Sequence, residues 1–357
     1  MNVSHTSDRA WLPLLTIRPS PEPDESDLLI SDPLQLRRSR VNRAAFLDLL
    51  AAELHRKHPR GDAQRLAGEL DRRGWRPSRE IEPVTLKAIR TWWARGWHPS
   101  LEYFLWSRNR PYIDAADTTG EVRRKTVSTY RVSGEPPPRL VPKGRLLALP
   151  APMPLDGTQT LGQVLMSRRT VRTYDPRPVP ASLLSTVLTH GLEDVRTRRT
   201  GRLEDQLDYL KTHGIAFDFY LVAYSVEGVP AGVWFYELIE RSLVCVQQGD
   251  FRNTMRSILV GMKAPKTAAW TLVISADFAQ YQWRYRHERA LRHIYMAAGR
   301  VAQRLIVVAQ AFGLGTLPTP ATHDAAIIKL LRLDHPRQSP VYTLTTGHLT
   351  ARDRVDV

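Results

Sequence analysis

The chain has 357 residues, of which 42% are hydrophobic and 24% are charged, which is enough for two domains with buried cores and excludes a disordered chain. A single cysteine, Cys245, excludes a disulfide framework and a cysteine-rich metal site. No secretory signal and no run of about 18 apolar residues is visible, so we expect a cytoplasmic protein without a membrane partner. The net charge of +15 favours an anionic partner, although an arginine-rich chain with solvated basic faces gives the same number.

The N-terminal third divides into two predicted regions. Residues 1–35 are polar and rich in proline, which predicts a flexible arm. Residues 36–133 predict a basic helical domain, in which a net +8 lies between Arg37 and Gly96. Helix starts are indicated at Asn42, Asp62 and Pro83. The stretch Glu121–Val132 is rich in β-formers and predicts a strand. Three basic helices followed by a β element favour a winged-helix-like domain, a pattern that serves DNA binding, peptide binding and dimer packing alike.

The remaining chain predicts a linker and a second domain. Residues 134–158 contain many prolines, which predicts an extended linker or a strap across a surface. Residues 159–357 alternate between helical and strand-like patterns. The strongest element is His287–Phe312, whose apolar positions keep helical spacing over more than twenty residues. Mixed strands around one long helix predict an α+β fold.

Three segments of the second domain carry candidate chemistry. SRRTVRTYDP at Ser167–Pro176 gathers three arginines and a threonine, which suit a phosphate group but also suit a solvated basic turn. AFGLGTLPTPA at Ala311–Ala321 follows the long helix and predicts an irregular loop whose amides can face a ligand. WRYRHER at Trp283–Arg289 contains Tyr285, which can donate a proton in a dry site or simply pack on a surface.

The order of these segments, followed by a PVYTLTTGH strand at Pro340–His348, resembles the FMN-dependent nitroreductase-like superfamily. Within it, the chain is most similar to the streptolysin-type azoline dehydrogenases that tailor ribosomally made peptides. The resemblance covers about Leu161 to His348. It implies FMN bound at the interface of a homodimer, with both chains contributing, and a modified precursor peptide as the substrate.

The resemblance also assigns individual positions. By matching motif, the cofactor-binding residues are Arg168, Arg169, Thr170, Arg172, Gln303, Leu317, Pro318, Thr319, Pro320, Ala321, Gly347 and His348. The family's helix motif AGH-x-AQN is written AGRVAQR here, with Gly299 and Gln303 kept. The catalytic pair implied by the family is Lys-Tyr, which this chain replaces by Arg284 and Tyr285.

Two departures shape the expected chemistry. An azoline oxidase needs a base, and an arginine stays protonated where a buried lysine can release its proton. Arg284 is therefore a poor base, whereas Tyr285 suits proton donation in a reductive step. Residues 196–220 also lack the small-residue loop that the family places against the flavin, which weakens the expected FMN affinity or removes it.

Three functions follow from the sequence. The first is an FMN-dependent oxidoreductase of a ribosomal peptide, either an azoline dehydrogenase or a reductase of dehydroamino acids. The second is a dimeric module that has lost flavin and holds an acidic leader peptide. The third is a winged-helix DNA-binding protein. We place it last because a recognition helix needs polar side chains for base edges, whereas the third helix carries Trp92 and Trp93.

Overall fold

The computed structural model describes residues 14–20, 27–34, 36–55, 57–75, 83–108, 116–155, 159–200 and 216–351. The chain divides into two compact units, with the boundary between Pro111 and Tyr112. We had placed the domain boundary in the proline-rich stretch 134–158. The boundary lies earlier because residues 116–144 pack on the second unit, as described below.

Unit 1 begins with a three-stranded antiparallel sheet in the order β1-β2-β3. Its strands are β1 (Thr16–Pro19), β2 (Asp27–Asp32) and β3 (Arg37–Asn42). The expectation of a flexible arm over residues 1–35 is therefore wrong where β1 and β2 lie. Ile30 of β2 is fully buried, and its apolar neighbours in the sheet provide the hydrophobic face that a strand needs.

Four helices complete the described part of unit 1. They are α1 (Arg43–Leu54), α2 (Gly61–Arg72), α3 (Pro83–Ala94) and α4 (His98–Arg108). Asn42 caps α1 as predicted, since its side-chain oxygen accepts a hydrogen bond from the Ala45 amide at 3.0 Å. Asp62 lies in the first turn of α2 but does not cap it. Phe46 and Trp75 are buried in the core of this unit.

The first element of unit 2 is a helix, α5 (Glu121–Val132), where we predicted a strand. The carboxylate of Asp117 accepts hydrogen bonds from the amides of Gly120 and Val122 at 3.1 and 2.8 Å. This cap and the buried Val127 on one helical face outweigh the β propensity of the segment. The β element of a winged-helix arrangement is thus not confirmed.

Unit 2 is built on a seven-stranded antiparallel sheet in the order β4-β7-β6-β5-β8-β10-β9. The strands are β4 (Leu146–Ala148), β5 (Phe217–Ala223), β6 (Gly232–Glu237), β7 (Ser242–Gln248), β8 (Trp270–Asp277), β9 (Leu314–Thr319) and β10 (Gln338–His348). The helices after α5 are α6 (Leu161–Ser167), α7 (Ala181–Thr200), α8 (Arg252–Ile258), α9 (Phe278–Arg284), α10 (Ala290–Ala311) and α11 (Asp324–Leu331). This mixed architecture confirms the predicted α+β class.

The sheet is covered on both faces. Phe219 and Leu221 of β5 pack in one buried cluster with side chains of α7 and α10. Tyr220 and Val222, which alternate with them, pack in a second cluster with side chains of α8 and α11. The long α10 therefore lies against the sheet, with one flank on α7. Among the helices of the described residues, none is long and apolar enough to cross a membrane.

Candidate functional site

The arginine-rich segment after α6 runs beside the edge of the sheet. Thr170 forms a parallel bridge with Thr316 of β9, and the Val171 amide donates to the Thr316 carbonyl at 3.0 Å. Farther along, Asp175 pairs with His348, the last residue of β10, through a 3.0 Å backbone hydrogen bond. Backbone pairing thus brings the first predicted segment next to the closing strand, although they are far apart in sequence.

Tyr174 holds this segment against β10. It is buried, and its hydroxyl lies 2.8 Å from the carbonyl oxygens of both Val171 and Thr345, to which it can donate. Burial raises the pKa of this phenol, so it stays protonated. A Cβ atom at Gly347 would lie 2.9 Å from the Tyr174 ring, so only glycine fits there. Sequence analysis missed Tyr174, although a tyrosine within a basic turn is a signal that it packs inward.

The arginines of the segment point away from these contacts. Arg169 and Arg172 are exposed and Arg168 is half-buried. Among the residues that the structure describes, none of the three forms an ion pair with a carboxylate; Arg169 donates instead to the carbonyl of Met166 at 2.8 Å. Unpaired guanidinium groups beside the half-buried Thr170 hydroxyl match the donors that a phosphate monoester requires.

The segment after the long helix is a strand and not the irregular loop that we expected. Leu317, Pro318 and Thr319 lie in β9, with the side chains of Leu317 and Thr319 buried, while Pro320 and Ala321 follow it and are exposed. β9 is an edge strand, where a proline is tolerated because no neighbour needs its missing amide. Beyond Thr316, its outer edge pairs with no strand in the described part of the chain.

Tyr285 lies in a cluster of aromatic rings between α9 and α10. Its ring centroid is 4.8 Å from that of Tyr281 and 6.3 Å from that of His293, and its amide donates to the Tyr281 carbonyl at 2.8 Å. Arg284 is buried, with its guanidinium carbon 5.8 Å from the Tyr285 centroid. Burial, together with the positive charge of Arg289, lowers the pKa of His293. The phenol of Tyr285 is therefore surrounded by aromatic rings and by a buried guanidinium.

Within one chain, the predicted catalytic residue Tyr285 and the predicted phosphate-binding arginines lie at opposite ends of α10 and do not meet. Tyr285 contacts His293 near the start of α10, whereas Gln310 near its end donates to Ser167, next to the arginines, at 3.3 Å. Seventeen residues separate the two positions on α10, which is about 25 Å at 1.5 Å per residue. That separation exceeds the length of a mononucleotide. Gln303 lies between them and is exposed.

Unit 1 has a groove of its own. A cavity of about 390 Å³ lies between β3 and α2 and is lined by Arg40, Val41, Arg65 and Leu66, among others. β3 is the last strand of its sheet, so in the described residues its outer edge pairs with no further strand. The lining also includes Asp62 and Glu69, which pair with Arg65 and Arg73, so the groove is partly apolar and carries both signs of charge. A strand edge beside such a groove can take up an extended peptide through main-chain hydrogen bonds.

No metal site accompanies these features. Among the residues with a described position, no group of three or more histidine, cysteine, aspartate or glutamate side chains is placed to hold an ion.

Comparison with known proteins identifies a family and relatives that match part of the chain. Residues 165–348, just over half of the chain, match the model of the nitroreductase family. The trifolitoxin operon protein TfxC of Rhizobium leguminosarum bv. trifolii is 26% identical over 276 residues, which are 72% of this chain and 74% of that protein.

Two solved structures are partly similar to this chain. A nitroreductase-like structure from Anabaena variabilis has a TM-score of 0.49 and 17% identity, covering 68% of this chain and 49% of that one, so this chain spans about half its length. The E. coli microcin synthetase McbBCD complex, with truncated pro-MccB17 bound, has a TM-score of 0.44 and 15% identity over 76% of this chain and 98% of the matched chain.

Proposed function

Because this chain belongs to the nitroreductase family, we propose that it is an FMN-dependent oxidoreductase that modifies a ribosomally made precursor peptide. The observation that carries the proposal is the set of unpaired arginines that backbone pairing holds beside β9 and β10. The relative TfxC, which belongs to an operon named after a toxin, supports a role in making such a product.

The arginine segment provides the phosphate site. Arg168, Arg169 and Arg172 supply charge-assisted donors, and Thr170 supplies a hydroxyl. Gly347 and His348 lie against the same segment, and the unpaired outer edge of β9 at Leu317–Thr319 offers backbone groups for the ring. These residues fit FMN in the chemistry of their donors.

Tyr285 provides the proton. Once reduced by an external two-electron donor, bound FMN would supply a hydride equivalent, and a carbon–carbon double bond that accepts this hydride at one carbon needs a proton at the other. The Tyr285 hydroxyl donates that proton, while the positively charged guanidinium of Arg284 lies beside the tyrosine ring. This arrangement favours reduction of a dehydroamino acid over oxidation of an azoline, because the oxidation needs a base.

The site is completed by a second copy of the chain. A partner packed in the opposite direction along α10 brings its own tyrosine from the start of that helix towards the arginines of the first chain. Exposed apolar side chains supply such a contact surface: Leu165 and Met166 of α6 and Tyr295 and Met296 of α10 are each more than half exposed. The functional unit is therefore a homodimer with composite sites.

Unit 1 holds the peptide. The groove between β3 and α2, together with the +8 between Arg37 and Gly96, suits an acidic leader segment that adds a strand to the free edge of β3. DNA is a weaker candidate. Trp92 stacks on Phe104, with ring centroids 6.1 Å apart, so the helix proposed for base recognition uses a tryptophan for packing.

The first experiment asks whether the protein holds flavin. We expect purified protein to be yellow, or to become yellow with added FMN, and to sediment at twice the chain mass of 40.7 kDa. Protein that stays colourless with FMN while still binding a leader peptide would instead support the flavin-free module. A monomer would contradict the composite site.

Mixed dimers test how the site is shared. A Tyr285→Phe chain and an Arg168→Ala/Arg172→Ala chain are each expected to be nearly inactive alone. When the two are mixed, one site of each mixed dimer combines the intact arginines of one chain with the intact tyrosine of the other. Activity should therefore return to about half of the sites in those dimers. No recovery in dimers shown to be mixed would place both groups in one chain.

A further inference from the structure

We propose that α5 and the residues that follow it form a latch that positions Tyr285 for proton transfer. The latch consists of Tyr130 and the strap at residues 134–139, which contact α9 and the loop that carries Tyr285. This inference rests on the function proposed above for Tyr285 and extends it to residues that belong to no family motif.

Aromatic and cationic contacts fasten α5 to the region around Tyr285. The Tyr130 ring meets the Trp283 ring edge-on, with centroids 6.3 Å apart, and the guanidinium of Arg286 lies 3.9 Å from the Tyr130 centroid. Trp283 and Arg286 flank Arg284 and Tyr285 in sequence. A single side chain of α5 therefore contacts both ends of the short segment that contains the proposed proton donor.

The strap adds hydrogen bonds to the same region. The indole N–H of Trp283 donates to the Gly134 carbonyl at 2.9 Å, and the side-chain amide of Gln280 donates to the Pro137 carbonyl. Arg337 donates to the Pro138 carbonyl and, at 2.8 Å, to the buried carboxylate of Asp277 at the start of α9. The proline-rich segment is thus fixed along α9 and does not act as a free linker here.

The strap is anchored at its far end as well. Arg139 pairs with Asp218 of β5, whose side chain is buried, and donates to the Phe217 carbonyl at 3.1 Å. With both ends of the strap tied to unit 2, the prolines between them have few conformations left.

The segment between α9 and α10 needs such support. Residues 285–289 form no helix or strand, and α10 alone does not fix the direction of the tyrosine hydroxyl. A displacement of about 1 Å at a reacting group can lower a rate by about 100-fold. Tyr130 and Trp283 therefore act as positioning residues: they do not touch the substrate, but they determine where Tyr285 points.

The test uses four variants of the full chain. Tyr130→Leu removes the ring, and Trp283→Phe keeps an aromatic ring but removes the indole N–H and part of the ring surface, so it is the milder change. Tyr130→Phe keeps the ring and serves as the conservative rescue. Thr129→Leu places the same new side chain on the exposed side of α5 and serves as the matched control.

Three quantities are measured for each variant. Amide hydrogen exchange over residues 284–289 reports how firmly the loop is held, and the Kd for FMN reports cofactor binding. The third is the single-turnover rate at which dithionite-reduced holoenzyme converts a synthetic peptide with one dehydroalanine to the alanine form. In that step the double bond gains one hydride and one proton, and the flavin is oxidised by two electrons.

For Tyr130→Leu and Trp283→Phe, we expect faster exchange and a rate reduced by roughly 10-fold to 100-fold, with an unchanged Kd for FMN. Tyr130→Phe and Thr129→Leu should behave like the unaltered protein. An unchanged rate in Tyr130→Leu and Trp283→Phe would overturn the latch, whether or not exchange becomes faster. Full activity of Tyr285→Phe would instead contradict the proposed function, so the two failures are distinguishable.

Discussion

The two ends of α10 are built in different ways. At the end near Gln310, main-chain bridges hold the arginine segment to β9 and β10, and its arginines form no ion pair with a carboxylate among the described residues. At the end near His293, the position of Tyr285 depends on side-chain packing among aromatic rings and on contacts from α5. At the first end, backbone hydrogen bonds and the buried Tyr174 fix the segment, so the arginines can be replaced without loss of its shape. At the second end, the ring of Tyr285 is itself part of the packing. Mutations at the arginine end should therefore weaken FMN binding, whereas mutations at the Tyr285 end should lower the turnover rate.

The largest effect is expected at the aromatic end. Tyr285→Phe removes one hydroxyl and keeps the ring that packs on Tyr281. Loss of a positioned acid lowers a rate by about 10²–10⁴-fold, while FMN, held at the other end, should bind as before. Single-turnover conversion of the dehydroalanine peptide and an FMN titration check both halves of the prediction. Equal losses of rate and affinity would show that the two ends are not separate.

The next effect belongs to the arginine end. Arg168→Ala and Arg172→Ala each remove a charge-assisted donor worth about 1.5–3 kcal/mol, so the Kd for FMN should rise about 10-fold or more. Arg177→Ala is the matched control, because Arg177 pairs with Asp175 at 2.9 Å and lies past the bridged segment. FMN affinity that stays the same in all three variants would show that the arginines form only a solvated turn.

A smaller effect tests the main-chain bridges themselves. Gly347→Ala places a Cβ atom 2.9 Å from the Tyr174 ring, and overpacking of this kind lowers the free energy of unfolding by about 1–3 kcal/mol. The control is Gly162→Ala in α6, where the nearest atom is 4.0 Å away and the change should be neutral or stabilising. Urea unfolding measures both, and equal midpoints would mean that Tyr174 moves aside freely.

The smallest effect is a pH dependence at the aromatic end. The pKa of His293 is lowered in the folded state, first by burial and then by Arg289, so below about pH 6.5 the unfolded chain binds more protons than the folded one. His293 therefore makes stability fall as the pH drops through that value. His293→Gln should flatten this dependence in urea midpoints measured at pH 7.5 and 5.5. A steeper dependence in the variant would contradict it.

The sequence predicted the elements whose pattern is long or buried. The apolar spacing of α10 placed it within three residues of its observed bounds. The sequence does not predict α5, because its β-branched residues favour a strand. The start of the helix depends instead on the carboxylate of Asp117. β9 was taken for a loop because Gly315 and Pro318 are poor strand formers, yet at a sheet edge both are tolerated.

The candidate site was predictable in its residue types and only partly in its geometry. The arginine segment and the closing strand were expected near each other, and the structure places them side by side. Tyr285 was assigned to the same site, but the sequence already puts a 22-residue helix between it and β9, and helix length alone separates the two ends. The prolines of residues 134–158 predicted a strap as one of two alternatives. Its contacts with α9 were not predictable, because Tyr130 and Gly134 meet Trp283 only in the folded chain.

The early boundary between the units has a practical consequence for anyone who wants to study them apart. A cut in the proline-rich stretch, where composition suggests it, would leave α5 attached to unit 1 with Val127 uncovered, and would strip unit 2 of the hydrogen bonds to Trp283 and Arg337. A cut near Tyr112 keeps each set of contacts whole. The prolines that look like a spacer belong to unit 2 by their contacts, so a fragment starting after them would lack residues that pack on α9.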